Sequence, residues 1–116
     1  MAISVEYSLE VKATAEKLWD ILTDVESWPQ WQGTHFVKLH TPGRLMVGNE
    51  FTAELGGVKW DVKVTKAERP QKIVCVGKRL GLRGIHEWEF DEVEGTTIAT
   101  TRETMTGWML FLTYPL

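Results

Sequence analysis

Cysteine is almost missing from this chain, with Cys75 the only one. No internal disulfide can form, and no cysteine framework substitutes for a core as in small secreted domains. Long apolar runs are missing too: nothing approaches the roughly 20 residues of a membrane span. The opening Met1-Ala2-Ile3-Ser4-Val5-Glu6 lacks the basic start and apolar centre of a signal peptide, so a cytoplasmic, reducing setting is expected. Positive charge is not in excess. Lys and Arg total 13 against 16 Asp and Glu, for a net charge of −3, which argues against a basic face for nucleic acid. With 43% hydrophobic and 25% charged residues, the 116-residue chain reads as one domain, 1–116, with a real core.

Tryptophan is plentiful instead, and three of the six fall between Leu18 and Trp31. Each buried indole removes about 150–250 Å2 from water, worth about 4–6 kcal/mol as an upper bound, so the placement of these rings governs the fold. Ahead of them, Ile3, Val5, Tyr7, Leu9 and Val11 alternate with Ser4, Glu6, Ser8 and Glu10, the pattern of a half-buried strand. Thr14 suits an N-cap, with Glu16 at the positive end of the helix that follows. Ala15, Leu18, Trp19 and Leu22 keep the i, i+3, i+4, i+7 spacing of an amphipathic helix. Asp24 or Ser27 starts a second short helix, and Pro29 limits any helix upstream of it.

Beyond Gly33 the period is two. Strands are predicted over residues 34–40, 50–55, 58–65, 72–80, 86–91 and 96–106. Turn signals lie at Thr41-Pro42-Gly43-Arg44, Gly56-Gly57, Gly81-Leu82-Arg83-Gly84 and Glu94-Gly95. Phe51, Ala53 and Leu55 form one apolar face, and Val58, Trp60, Val62 and Val64 another. His86, Trp88 and Phe90 alternate with Glu87, Glu89 and Asp91. Residues 72–80 are apolar on both sides, so alternation does not say which side faces in. Strands joined by short turns imply antiparallel pairing. The expectation is an α+β fold: a curved seven-stranded antiparallel sheet in the order strand, two helices, six strands. Trp108-Met109-Leu110-Phe111-Leu112 reads as the first turn or two of a further covering helix.

The order resembles the START-like, helix-grip (SRPBCC) superfamily, in particular its polyketide cyclase/dehydrase and lipid-transport branch. The likeness rests on Ala13-Thr14-Ala15-Glu16-Lys17-Leu18-Trp19 and on Leu22-Thr23-Asp24-Val25-Glu26-Ser27-Trp28-Pro29-Gln30-Trp31. Val47-Gly48-Asn49-Glu50-Phe51, the His86-x-Trp88-x-Phe90 strand, and Gly95-Thr96 leading to Glu103 and Gly107 complete it. The resemblance implies a sheet curled around a long C-terminal helix, with an apolar cavity between them. Since the sequence stops at Leu116, that helix is expected to be truncated or only begun, leaving the groove open or covered by a second copy in a homo-oligomer.

Trp19 is expected in the core, whereas Trp28 and Trp31 read equally as structural plug or pocket wall. Trp31, Phe51, Trp60, His86, Trp88 and Arg102 are the candidate ligand-binding residues. His86 shares its face with Trp88 and Phe90 and needs hydrogen-bond partners; a satisfied core histidine is its plainer reading. Arg102 and Glu103 take opposite faces of the last strand. Parity with Ile98 and Thr100 turns Arg102 toward the groove, and a bulge would turn Glu103 there instead. His35 and His40 are an odd number apart on a strand, no Cys/His cluster has zinc spacing, and GxxxxGK[ST] is absent. No catalytic set, metal or cofactor is therefore expected. The leading reading is a binder of a hydrophobic or aromatic small molecule, lipid- or polyketide-like. The alternatives are a cyclase or dehydratase using His86 or Arg102, and an interaction module using the uncovered groove and the 108–116 tail.

Overall fold

The computed structural model describes residues 2–31, 34–40, 43–55 and 58–107. Strand β1 (Ala2–Val11) leads to helix α1 (Ala15–Thr23), a 3-10 turn (Val25–Ser27) and the one-turn helix α2 (Trp28–Trp31). Six strands follow: β2 (Thr34–Leu39), β3 (Glu50–Leu55), β4 (Val58–Glu68), β5 (Lys72–Arg79), β6 (Leu82–Val93) and β7 (Thr96–Thr106). All neighbours pair antiparallel, in the order β1-β7-β6-β5-β4-β3-β2. The result is the expected α+β helix-grip arrangement, a curved open sheet with two short helices on one face. Gly33, Thr41-Pro42, Gly56-Gly57 and the apolar segment from Trp108 onward lie outside the described residues.

Helix α1 starts and stops where side-chain chemistry dictates. The Thr14 hydroxyl accepts the Lys17 N–H at 3.2 Å, and the Glu92 carboxylate accepts the Ala15 N–H at 2.6 Å. At the other end, carbonyls with no partner inside the helix need outside donors. The Trp28 indole N–H donates to Leu22 O at 2.9 Å, the Leu45 N–H donates to Thr23 O at 3.1 Å, and the Arg44 guanidinium donates to Asp20 O. The turn after α1 is thus built around an aromatic ring and a returning loop rather than a glycine cap.

Directly opposed residues of antiparallel neighbours share a face. One inner row runs Val5, Glu103, His86, Cys75, Val64, and the next runs Tyr7, Thr101, Trp88, Ile73, Ala67. A bulge between Val64 and Lys66 keeps both Val64 and Ala67 inward although they are an odd number apart. Trp19, Leu22, Val25 and Trp28 descend from the helices onto Phe51, Val64, Ile73 and Phe90 to make the core. For β5, whose inner side alternation left undecided, the buried Ile73 and Cys75 mark it.

One expectation is corrected at β1. Its alternating residues do share the inner face, but Val5, Tyr7 and Leu9 are 64%, 63% and 54% exposed rather than half-buried. The helical segment rests mainly on β2 and β6, away from this edge.

Ile73 is fully buried at the middle of the sheet and does not border the cavity described below. Ile73→Ala is expected to lower unfolding free energy by about 2–5 kcal/mol, read from urea denaturation. A loss under about 1 kcal/mol would contradict this account of the core.

Candidate ligand-binding site

Strands β3 to β7 and helix α2 border a cavity of about 470 Å3, within the range of about 300–1,000 Å3 usual for small-molecule sites. Strand alternation sends Phe51, Trp60, His86 and Trp88 into it from three strands, and α2 lowers Trp28 onto them. The Trp28 ring meets Phe51 edge-on, with centroids 5.6 Å apart at 87°, and lies 6.0 Å from Trp88. Trp28 is therefore plug and wall together: its N–H closes α1 while its ring bounds the cavity.

Room for the cavity comes from two glycines. Gly77 and Gly84 are opposed on β5 and β6, and both border the space. A Cβ at Gly77 would lie 3.5 Å from Trp60 Cε3, and one at Gly84 would lie 3.7 Å from Met105 Sδ. Larger side chains here would project into the cavity. Gly84, expected in a turn or bulge, stands instead within β6, where a glycine marks space left for something else.

His86 stacks on Trp88 with centroids 3.8 Å apart at 20°, and its Nε2 lies 2.7 Å from the Thr101 hydroxyl. Burial pushes the imidazole down from its ordinary 6.5 to about 4, so at neutral pH it is an uncharged ring that exchanges one hydrogen bond with Thr101. Burial also raises the Cys75 thiol to about 12, which leaves it protonated and a poor nucleophile. Among the described residues, no three His, Cys, Asp or Glu side chains converge as metal ligands, and no helix is long and apolar enough to cross a membrane.

The structure corrects the placement of Arg102. Its guanidinium lies on the outer face, 3.0 Å from Glu6 and 3.2 Å from Glu87, with Glu89 at 3.6 Å. Lys72 bridges the same Glu87 and Glu89 at 3.6 and 3.3 Å. Hydrogen bonds to Glu6 and Glu87 raise the Arg102 pKa further. Glu103 takes the inner position opposite His86 and borders the cavity. Parity with Ile98 misled, because Ile98 is itself an outer residue, 42% exposed. A better signal was available: Glu87 and Glu89 already marked the wet side of β6, and a neighbouring strand supplies its cation there. Of the other candidates, Phe51, Trp60, His86 and Trp88 are brought together; the Trp31 side chain lies outside the described residues. Trp28, Glu103, Met105, the two glycines and the smaller Ala53, Val62 and Cys75 border the cavity beyond that candidate set.

A family model described as polyketide cyclase / dehydrase and lipid transport matches residues 2–113. No curated protein matches the chain by sequence. Among solved structures, a hypothetical protein from Helicobacter pylori aligns with a TM-score of 0.81 at 17% identity, covering 90% of this chain and 70% of that one. A START superfamily protein from Mycobacterium smegmatis aligns with 0.75 at 16%, covering 90% and 77%. A di-domain ARO/CYC protein aligns with 0.75 at 16% and covers 98% of this chain, which spans 39% of that protein. At such identities the likeness is one of fold.

The His86 environment makes stability depend on acid. Between about pH 6.5 and about 4 the unfolded chain binds a proton at this ring that the folded chain refuses. The stabilisation is complete above about pH 6.5 and is lost as pH falls toward about 4, by at most about 3 kcal/mol. Urea midpoints across this window should fall more steeply for the native chain than for His86→Gln. Parallel declines would show that the ring is not shielded from protons.

Proposed function

The chain belongs to the polyketide cyclase / dehydrase and lipid transport family, and on that premise we propose that it binds a hydrophobic or aromatic small molecule between the sheet and α2. The observation that carries the proposal is the convergence of Trp28, Phe51, Trp60 and Trp88 on one cavity of about 470 Å3. Apolar contact with these rings supplies the affinity, and the few polar groups fix orientation. His86 serves as a neutral hydrogen-bonding group within a stacked aromatic wall. Gly77 and Gly84 keep the floor low enough for a ligand to lie against β5 and β6.

Titration with a panel of naphthol-, anthraquinone- and acyl-chain-bearing compounds is expected to give a saturable change in tryptophan fluorescence, since three indoles border the space. Trp60→Ala should weaken the best binder by about tenfold, equivalent to about 1.4 kcal/mol. Gly84→Val should abolish binding while leaving the far-ultraviolet circular dichroism intact, because the added methyls occupy cavity rather than core. Absence of any saturable response, or binding indifferent to Gly84→Val, counts against this site.

A further inference from the structure

We propose that the cavity selects ligands carrying a protonated amine on an aromatic or apolar body, with the amine at Glu103 and the body among Trp28, Trp60 and Trp88. The inference rests on the binding reading above and specifies which ligands that site takes. Glu103 is the one charged side chain bordering the cavity among the described residues, and it makes no hydrogen bond or ion pair with another of them. Its sequence neighbour Arg102 cannot compensate, being held on the opposite face by Glu6, Glu87 and Glu89. Opposed residues in an antiparallel pair have Cβ atoms about 4.5–5.5 Å apart, which brings the Glu103 side chain within reach of the His86–Trp88 stack.

The sign of the local field follows. A carboxylate-ended ligand such as a free fatty acid would bring a second negative charge to Glu103, with no cation among the described lining residues to receive it. His86 offers none, because burial keeps its ring neutral at physiological pH. The indole faces add to the preference: their quadrupoles attract cations and repel anions. Glu103 is exposed, so an amine can meet it without being stripped of all its water, while the apolar body passes inward. A charge-assisted hydrogen bond of this kind is about twice as strong as a neutral one.

The test uses three ligands with one body: naphthylethylamine, naphthylethanol and naphthylacetate, titrated by tryptophan fluorescence at neutral pH and moderate salt. The amine is expected to bind about tenfold more tightly than the alcohol, and the carboxylate more weakly than either. Glu103→Gln should bring amine and carboxylate to within about twofold of each other. Glu10→Gln, which removes a charge from the outer face of β1, should leave the original preference in place. If alcohol or carboxylate binds as well as the amine, or if Glu103→Gln leaves the preference intact, the inference is overturned while the cavity remains a binding site. If none of the three binds while another compound of the wider panel does, the amine inference alone is overturned; if nothing in either set binds, the cavity reading fails and the amine preference fails with it.

Discussion

Strands β1 and β2 are consecutive in the chain yet form opposite edges of the sheet. Whatever connects them must therefore be carried across the sheet. The connection spends its residues on one nine-residue helix, a 3-10 turn and a four-residue helix. Elements that short cannot blanket seven strands. They bury Phe51, Val64, Ile73 and Phe90 beneath Trp19, Leu22, Val25 and Trp28. Among the described residues, that core reaches β7 only at the Thr97–Ala99 end, while Val5, Tyr7 and Leu9 of β1 stay exposed, and the cavity opens beside the edge of the core. It is a consequence of topology meeting helix length.

The two faces of the sheet divide the chemistry. Outside, Arg102 and Lys72 pair with Glu6, Glu87 and Glu89 in a network spanning four strands. Pairs this open to water add little stability individually, but they engage Arg102 and Lys72 on that face. Inside, aromatic rings, a neutral imidazole and two glycines leave Glu103 as an isolated charge among the described lining residues. The polarity of the cavity is thus set by pairing on the opposite face, one residue out of step.

Most of the architecture was legible because strand alternation is a strong signal when one face is apolar. Phe51, Trp60, Val62 and the His86-Trp88-Phe90 series declared their side directly, and Thr14 declared the helix start. What alternation could not show came from places where the period breaks or both faces look alike. The bulge after Val64 resets parity, and β5 is apolar on both sides. In β7 the threonines are indifferent to face, so Ile98 carried undue weight against Glu103. The place of Gly77 and Gly84 on the cavity wall is illegible for another reason: a residue that contributes by having no side chain leaves no hydrophobic pattern to read. The exposure of Val5, Tyr7 and Leu9 is also beyond sequence patterning, since alternation reports which side a residue takes and not whether anything lies over it.

The Trp28 indole joins two jobs in one residue, closing α1 through Leu22 and walling the cavity against Phe51 and Trp88. Changes at this wall carry a folding penalty, because the same atoms terminate a helix. Glu103 and Met105 have no such double duty: they border the cavity on β7 but are not among the residues that form or pack against the core. Substitutions on the β7 side therefore alter the chemistry of the cavity at lower cost to the scaffold than substitutions on the α2 side, which stays tied to the integrity of the chain.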